Sequence, residues 1–211
     1  MEKIINLKDL LKHEILDLYS AEEQIIDGLP KMIDKANDPM LKEALSSHLE
    51  TTREHKERLD IIKHTLIGER DETDDGFFSN LFGGSNSVTC KGTEGLIEEG
   101  EKMMGEDMTP EAMDAAIIGA AQKIEHYEIA GYGTARAYAL ELGMNDLAAQ
   151  LELTLSEEYE ADEILTNLAV GQVNTEAENA EDNDDDEDLD FEEDVPDADT
   201  FREESIRTSG L

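Results

Sequence analysis

Apolar residues recur along this chain at spacings of three, four and seven, the pattern of helices that bury one stripe. In the first such stretch, about Asn6 to Ala36, Leu7, Leu11, Leu18, Ile25, Leu29 and Met32 share a face. Asn37-Asp38-Pro39 breaks the pattern and restarts it, with Asp38 placed to cap and Pro39 at the first helical position. The second helix continues to about Ile67 through Leu41, Leu45, Leu59, Ile62 and Leu66, and Gly68 closes it. So short a link makes the pair an antiparallel hairpin. A third helix starts at Thr109-Pro110-Glu111 and runs to about Leu142, with Gly143 as its C-cap. A fourth spans about Asp146 to Ala169.

The interval from Gly68 to about Thr109 is rich in Gly, Asp, Ser and Asn. It is predicted to hold a mobile piece, Phe77 to Ser87, and a short helix at about Glu94 to Met104. Two helical hairpins joined by one long crossover predict an all-α, ferritin-like four-helix bundle over residues 1–173. From Asn174 the periodicity gives way to a dense acidic run, so residues 174–211 read as a disordered tail.

The chain carries 54 acidic against 17 basic residues, a net charge of −37. That balance excludes nucleic acid and anionic membrane surfaces as partners, because both need Lys and Arg. A mimic of nucleic acid would rest on the charge alone. Two readings remain: collection of cations, or adaptation to multimolar salt, where repulsion is screened within about 3 Å. Acids crowd the helices as well as the tail, which favours a salt-loving habitat. No apolar run is long enough to span a bilayer, and the charged, periodic N-terminus has no h-region, so a cytoplasmic protein is expected. The lone Cys90 makes neither an intramolecular disulfide nor a thiolate metal cluster, and reads as a small apolar residue in the crossover.

Several polar residues fall inside the apolar stripes. At about 100° per residue, Glu22 is centred between Leu18 and Ile25 in helix one. Helix two turns His48, Thr52 and His55 inward among Leu45, Leu59 and Ile62, while Glu50 faces out. Helix three centres Glu128 among Ile117, Ala121, Ile124 and Ala135, with Glu125 nearer the edge and Tyr132 one turn on. Helix four sets Glu158 and Asp162 among Leu151, Leu155 and Leu165. Counted from the two short links, Glu22, His55, Glu125, Glu128, Glu158 and Asp162 fall within about one helical turn of a common height. His48 is about two turns from His55 and is expected outside that layer.

Ionised carboxylates are costly in a bundle core unless paired or bound to metal, and no inward Lys or Arg is available to pair them. Oxygen donors with one imidazole suit two iron or manganese ions. Glu22, Glu128 and Glu158 are the expected main ligands, completed by His55, Glu125 and Asp162, with Tyr132, Thr52 and His48 around them.

The segments LYSAEEQI, HLETTREHKERL, CKGTEGLIEEG, AAQKIEHYEIAGYGTARAYALELG and LSEEYEADEILTNLA resemble the YciE/YciF family of ferritin-like proteins, which is linked to stress responses. The resemblance spans about Leu7 to Val173. It implies a ferritin-like bundle, often dimeric, with a candidate di-iron site. A homodimer fits the long crossover and its Phe77, Phe78 and Phe82, which could equally cap their own bundle. The chain departs from the better-known ferritin pattern, one Glu on helices one and three and Glu-x-x-His on helices two and four. Helix two reads Thr52-x-x-His55, and helix four offers Glu158 with Asp162. The ligand set and the resemblance together lead to a di-metal stress protein, with oxidation of ferrous iron or consumption of peroxide as its candidate activities. The alternative is a non-catalytic helical protein acting by association.

Overall fold

The computed structural model describes residues 4–68 and 89–180, and every regular element among them is helical. Four long helices carry the fold: α1 (Leu7–Lys35), α2 (Pro39–Gly68), α4 (Pro110–Glu141) and α5 (Asn145–Leu168). A shorter α3 (Lys91–Met103) precedes α4. A wide turn of π-helix, Ala169–Val173, and α6 (Asn174–Glu178) follow α5. The predicted mobile piece at 77–87, the three Phe proposed for a dimer contact and most of the acidic tail lie outside the described residues. The change of character expected at Asn174 falls one turn too early, because the helical path persists to Glu178. Val173 accounts for this: it remains buried against the core, and its anchor carries the chain on.

The ends form where local chemistry satisfies the free backbone groups. Asn6 caps α1 by accepting from the Asp9 amide at 3.0 Å, while the Asp9 carboxylate accepts from the Asn6 amide at 3.3 Å. Asp38 accepts from the Leu41 amide at 2.8 Å, the cap expected of it. Thr109 caps α4 ahead of Pro110. Gly143, at φ 71°, turns the chain in the left-handed region where a side chain would be strained. The short helix starts a turn earlier than predicted, at Lys91. Its N-cap, Cys90, is fastened to α1: the Cys90 amide donates to Ser20 Oγ at 3.0 Å, and the Gln24 side chain donates to the Cys90 carbonyl at 3.1 Å. Cys90 is thus buried in polar company, its thiol 3.0 Å from both Asp17 Oδ2 and the Tyr127 hydroxyl.

Side-chain pairs give the directions. Glu22 meets His55, Glu23 meets Lys56 and Tyr19 meets Lys63, so α1 and α2 run antiparallel. Gln122 bonds Asp162 and Arg136 pairs with Glu152, so α4 and α5 do the same. Asn37 bonds Asp114 at one end of the α1–α4 seam and Tyr132 bonds Glu22 further along, again antiparallel. His55 and Arg58 meet Glu157 across the α2–α5 seam. Each long helix therefore packs on two antiparallel neighbours, and α2 and α4 run parallel, which is why a long connection must join them. Close approach of α1 and α4 is set at Gly131, where a Cβ would lie 2.8 Å from Leu18 Cδ2.

Asp114 was not singled out by its sequence position, yet it closes the end of the bundle. Buried in the first turns of α4, it accepts from the Asn37 amide at 2.6 Å and the Asp38 amide at 2.8 Å. Asp114→Ala leaves both link amides without a carboxylate, and the expected loss is about 1–3 kcal/mol. The urea midpoint should fall accordingly, and an unchanged midpoint would show that water replaces the carboxylate at no cost.

The apolar core is not continuous. One cluster gathers Ile25, Leu29, Leu41, Leu45, Leu49, Ile117 and Leu165 near the α1–α2 link. The other gathers Leu11, Leu18, Leu59, Ile62, Tyr132, Leu151 and Leu155 toward the opposite end. Each long helix contributes to both. What separates the clusters is a layer of buried polar residues.

Candidate metal centre

Within α1 the layer is Glu22, set between Leu18 of one cluster and Ile25 of the other. Within α2 it is His48, Thr52 and His55 between Leu45 and Leu59. Within α4 it is Glu125 and Glu128 between Ile124 and Tyr132, and within α5 it is Glu158 between Leu155 and Leu165. Helical periodicity forces this burial: a residue seven positions from two core leucines cannot leave the stripe. Glu22, His55, Glu128 and Glu158 are 0% exposed and Glu125 is 3% exposed, so no bulk water solvates these charges.

Donor atoms converge in two groups. His48, Glu125, Glu128 and Glu158 each bring one ligand atom within 4.8 Å of the others, and so do Glu22, His55 and Glu158. Glu158 belongs to both. His55 Nδ1 lies 2.8 Å from Glu158 and 3.5 Å from Glu22, but is not aligned to bond with either. Glu22 Oε2, His48 Nε2, Glu125 Oε2 and both oxygens of Glu128 and of Glu158 likewise lack a hydrogen-bond partner among the described residues. Orphaned atoms of this kind are rare in a stable interior. Here all of them point into one layer, and they are Lewis bases, so the residues fit a pair of divalent cations.

Burial pushes the carboxyls of Glu22, Glu125 and Glu128 above the ordinary value of 4.5, and the neighbouring carboxylates, Glu158 first among them for Glu22 and Glu125, push them further. Burial opposes the charged form of both histidines, with opposite outcomes. For His55 the carboxylates of Glu158 and Glu22 overcome it and raise the imidazole to about 10. For His48 burial prevails and the imidazole titrates below 6.5. These directions set a pH dependence for the metal-free protein. The fold holds protons on Glu22, Glu125 and Glu128 that the unfolded chain releases above 4.5, so stability is lost as pH rises through their native values. The His55 contribution is complete below 6.5 and is lost as pH climbs through about 10. His48, lowered in the fold, acts oppositely and costs stability only on the acid side. The thermal midpoint in chelator should therefore decline from mildly acidic to alkaline pH. A midpoint that rises across that range would contradict these protonation states.

Supporting residues fix the donors in place. The Tyr132 hydroxyl donates to Glu22 Oε1. Thr52, at the position where a ferritin-type carboxylate was missed, instead donates to the His48 carbonyl at 2.8 Å, so its hydroxyl faces its own helix and leaves room in the layer. The far nitrogen of His55, Nε2, lies 3.0 Å from Glu157. Glu157 is gripped by Arg58 through two hydrogen bonds of 2.6 and 3.1 Å, and Arg58 also bonds Thr154. A carboxylate on one imidazole nitrogen orients the other toward its ligand, the usual outer arrangement around a metal-binding histidine. Sequence reasoning missed Arg58 and Glu157, since both sit on the flank of their stripes and carry no inward signal.

Two expected placements change. His48 was placed outside the layer, but its ring centroid is 6.4 Å from that of His55 and its Nε2 is 3.2 Å from Glu125 Oε1. A long imidazole arm reaches along the helix, and small Thr52 in the turn between them leaves the path open. Asp162 was placed inside, but the structure does not bring it to the cluster. One helical turn beyond Glu158, its shorter side chain stays on the α4–α5 seam, where the Gln122 amide donates to it at 3.0 Å and exposed His126 lies at 3.5 Å.

Four packed helices with a carboxylate and histidine layer between two apolar clusters define an all-helical protein with a candidate metal centre. The family profile described as a domain of unknown function, DUF892, matches residues 6–178, and the chain belongs to that family. It is 38% identical over 173 residues to Protein YciF of Escherichia coli K12, covering 82% of this chain and 96% of that protein. Among solved structures, that of the E. coli stress protein YciF matches with a TM-score of 0.70 at 35% identity, covering 81% of this chain and 99% of the other. YcfI from Rhodopseudomonas palustris matches with a TM-score of 0.68 at 39% identity, covering 78% of this chain and 96% of the other. No helix among the described residues is long and apolar enough to cross a membrane.

Proposed function

We propose that this chain is a ferritin-like four-helix bundle that binds two iron or manganese ions in its polar layer and acts in the stress response. The observation that carries the reading is the convergence of unpartnered buried donor atoms on two groups that share Glu158. Four carboxylates and two imidazoles are the donor set that hard-to-borderline first-row ions prefer. Two such ions would supply redox chemistry for oxidising ferrous iron at the expense of oxygen or peroxide. The chain's own residues do the rest. Glu158 joins the two groups. Arg58, through Glu157, holds the His55 ring so that Nδ1 faces the layer, and Tyr132 holds Glu22. The apolar clusters on either side keep bulk water away from the donors. The description of the YciF relative as a stress protein supports the physiological part of the reading.

The competing reading is a bundle that works by association, in line with the provisional description of YcfI as a structural protein. Elemental analysis separates the two. Protein purified without chelator and then given ferrous iron or manganese without oxygen should hold about two ions per chain, and peroxide should be consumed on mixing. Failure to retain either ion would end the di-metal reading, and retention without turnover would support the structural one.

A further inference from the structure

A groove of about 300 Å³ opens between α2 and α5, and its inner end is formed by His48 and Glu125. Its upper walls are lined by small or apolar groups, notably Ala44, Ala161 and Ile164, and its rim carries the carboxylates of Glu54, Glu157 and Glu160. A water molecule occupies about 30 Å³ of liquid, so the groove has room for a hydrated divalent ion and for a small neutral oxidant. Exposure falls along the way in. Glu54 is 71% exposed at the rim, His48 10% at the inner end, and His55, Glu22 and Glu158 are 0% exposed beyond it. The inner end is also where buried donors lack partners: His48 Nε2 and Glu125 Oε2. Two other cavities do not lead to the layer with comparable width. One behind Glu125, among Ile25, Leu29 and Ile97, measures about 10 Å³. The other, about 230 Å³ beside Lys8 and Met144, borders none of the carboxylate and histidine donors.

We propose that this groove is the port through which metal ions reach the polar layer, with the Glu54, Glu157 and Glu160 rim drawing cations in and the His48–Glu125 pair receiving them first. The proposal rests on the di-metal reading and adds the route. Among the described residues the cation that pairs with this rim is Arg58, bonded to Glu157 at 2.6 Å and 3.9 Å from Glu54, so three carboxylates share one positive charge. A cleft of one sign with low-dielectric walls concentrates counter-ions and raises on-rates by roughly 10–10³. The same rim disfavours anionic ligands, so the groove selects divalent cations and uncharged oxidants. The ions meet His48 and Glu125 before the Glu22–His55 side, which lies deeper.

Manganese uptake, followed by loss of the free-ion electron paramagnetic resonance signal after mixing with the metal-free full-length protein, tests the route. Ala161→Phe places a ring across the groove without touching any donor. The expected result is uptake slowed at least about tenfold, with the final stoichiometry unchanged. Glu54→Gln combined with Glu160→Gln should slow uptake several-fold and flatten its dependence on ionic strength, and this variant remains informative if the first folds poorly. Uptake at the parental rate in the folded Phe variant, or parental rate and salt dependence in the double variant, overturns the port. A parent protein that takes up no manganese or iron at all overturns the di-metal reading instead.

Discussion

Glu158→Ala is expected to empty both metal positions at once, whereas Glu22→Ala and Glu125→Ala should each weaken one. Glu158 is the residue common to the two donor groups, and neither of its oxygens makes a hydrogen bond among the described residues, although Oε1 lies 2.8 Å from His55 Nδ1. Loss of a merely supporting residue around a metal costs roughly 10–100-fold in affinity, and the shared carboxylate should exceed that in both groups. The same substitution removes the partner that lies 2.8 Å from His55 Nδ1, so the imidazole should lose part of its elevation above 6.5. Elemental analysis after gel filtration reads the first effect, and nuclear magnetic resonance titration of His55 reads the second. If Glu158→Ala retained one tightly bound ion, the sharing of this carboxylate would be wrong, although a single-ion site would survive.

Glu128→Met should change stability in opposite directions with and without metal. In the metal-free protein, Glu128 is fully buried, neither oxygen is bonded among the described residues, and burial together with Glu22 and Glu158 holds its carboxyl well above the usual range. A methionine fills similar volume and joins the two apolar clusters without a polar group to desolvate. Removing an unsatisfied buried polar group in favour of an apolar one of like size lifts a desolvation cost of roughly 1–3 kcal/mol. For a chain of this length each kcal/mol moves the thermal midpoint by about 2–4 °C. With metal the order reverses. An ion at a hundredfold excess over its dissociation constant stabilises by about 2.7 kcal/mol per site, and the variant forfeits much of that. Thermal melts in chelator and in excess manganese should therefore cross. A variant less stable than the parent in both conditions would mean that Glu128 has a protein partner in solution and is not reserved for a cation.

The one-dimensional pattern decided a good deal. The 3.6-residue period located the four long helices, and Asn6, Asp38, Thr109 and Gly143 marked their ends to within a residue or so. These signals are local: a cap acts through amides two or three residues away, and a stripe is set by rotation about one axis. The same rotation showed that Glu22, His55, Glu125, Glu128 and Glu158 face inward, and all five are buried. Two helical bounds were misjudged: the start of α3, because Cys90 begins it through contacts with Ser20 and Gln24, seventy and sixty-six positions away, and the path beyond α5, which buried Val173 carries on to Glu178.

Tertiary structure decided which inward residues meet. Rotation about a helix gives direction but not reach, and reach depends on side-chain length, rotamer and the offset between neighbouring helices. That is why His48 enters the layer from two turns away while Asp162, only one turn from Glu158, stays on a seam with Gln122. It also explains why Arg58 and Glu157 were invisible: they act across the α2–α5 contact, and neither lies on a stripe. The sharing of Glu158 and the groove beside His48 are likewise properties of four helices together. The sequence determined that a polar layer would be buried, because periodicity alone forces it inward. The packing determined its membership, because distances between helices are written in no single one of them.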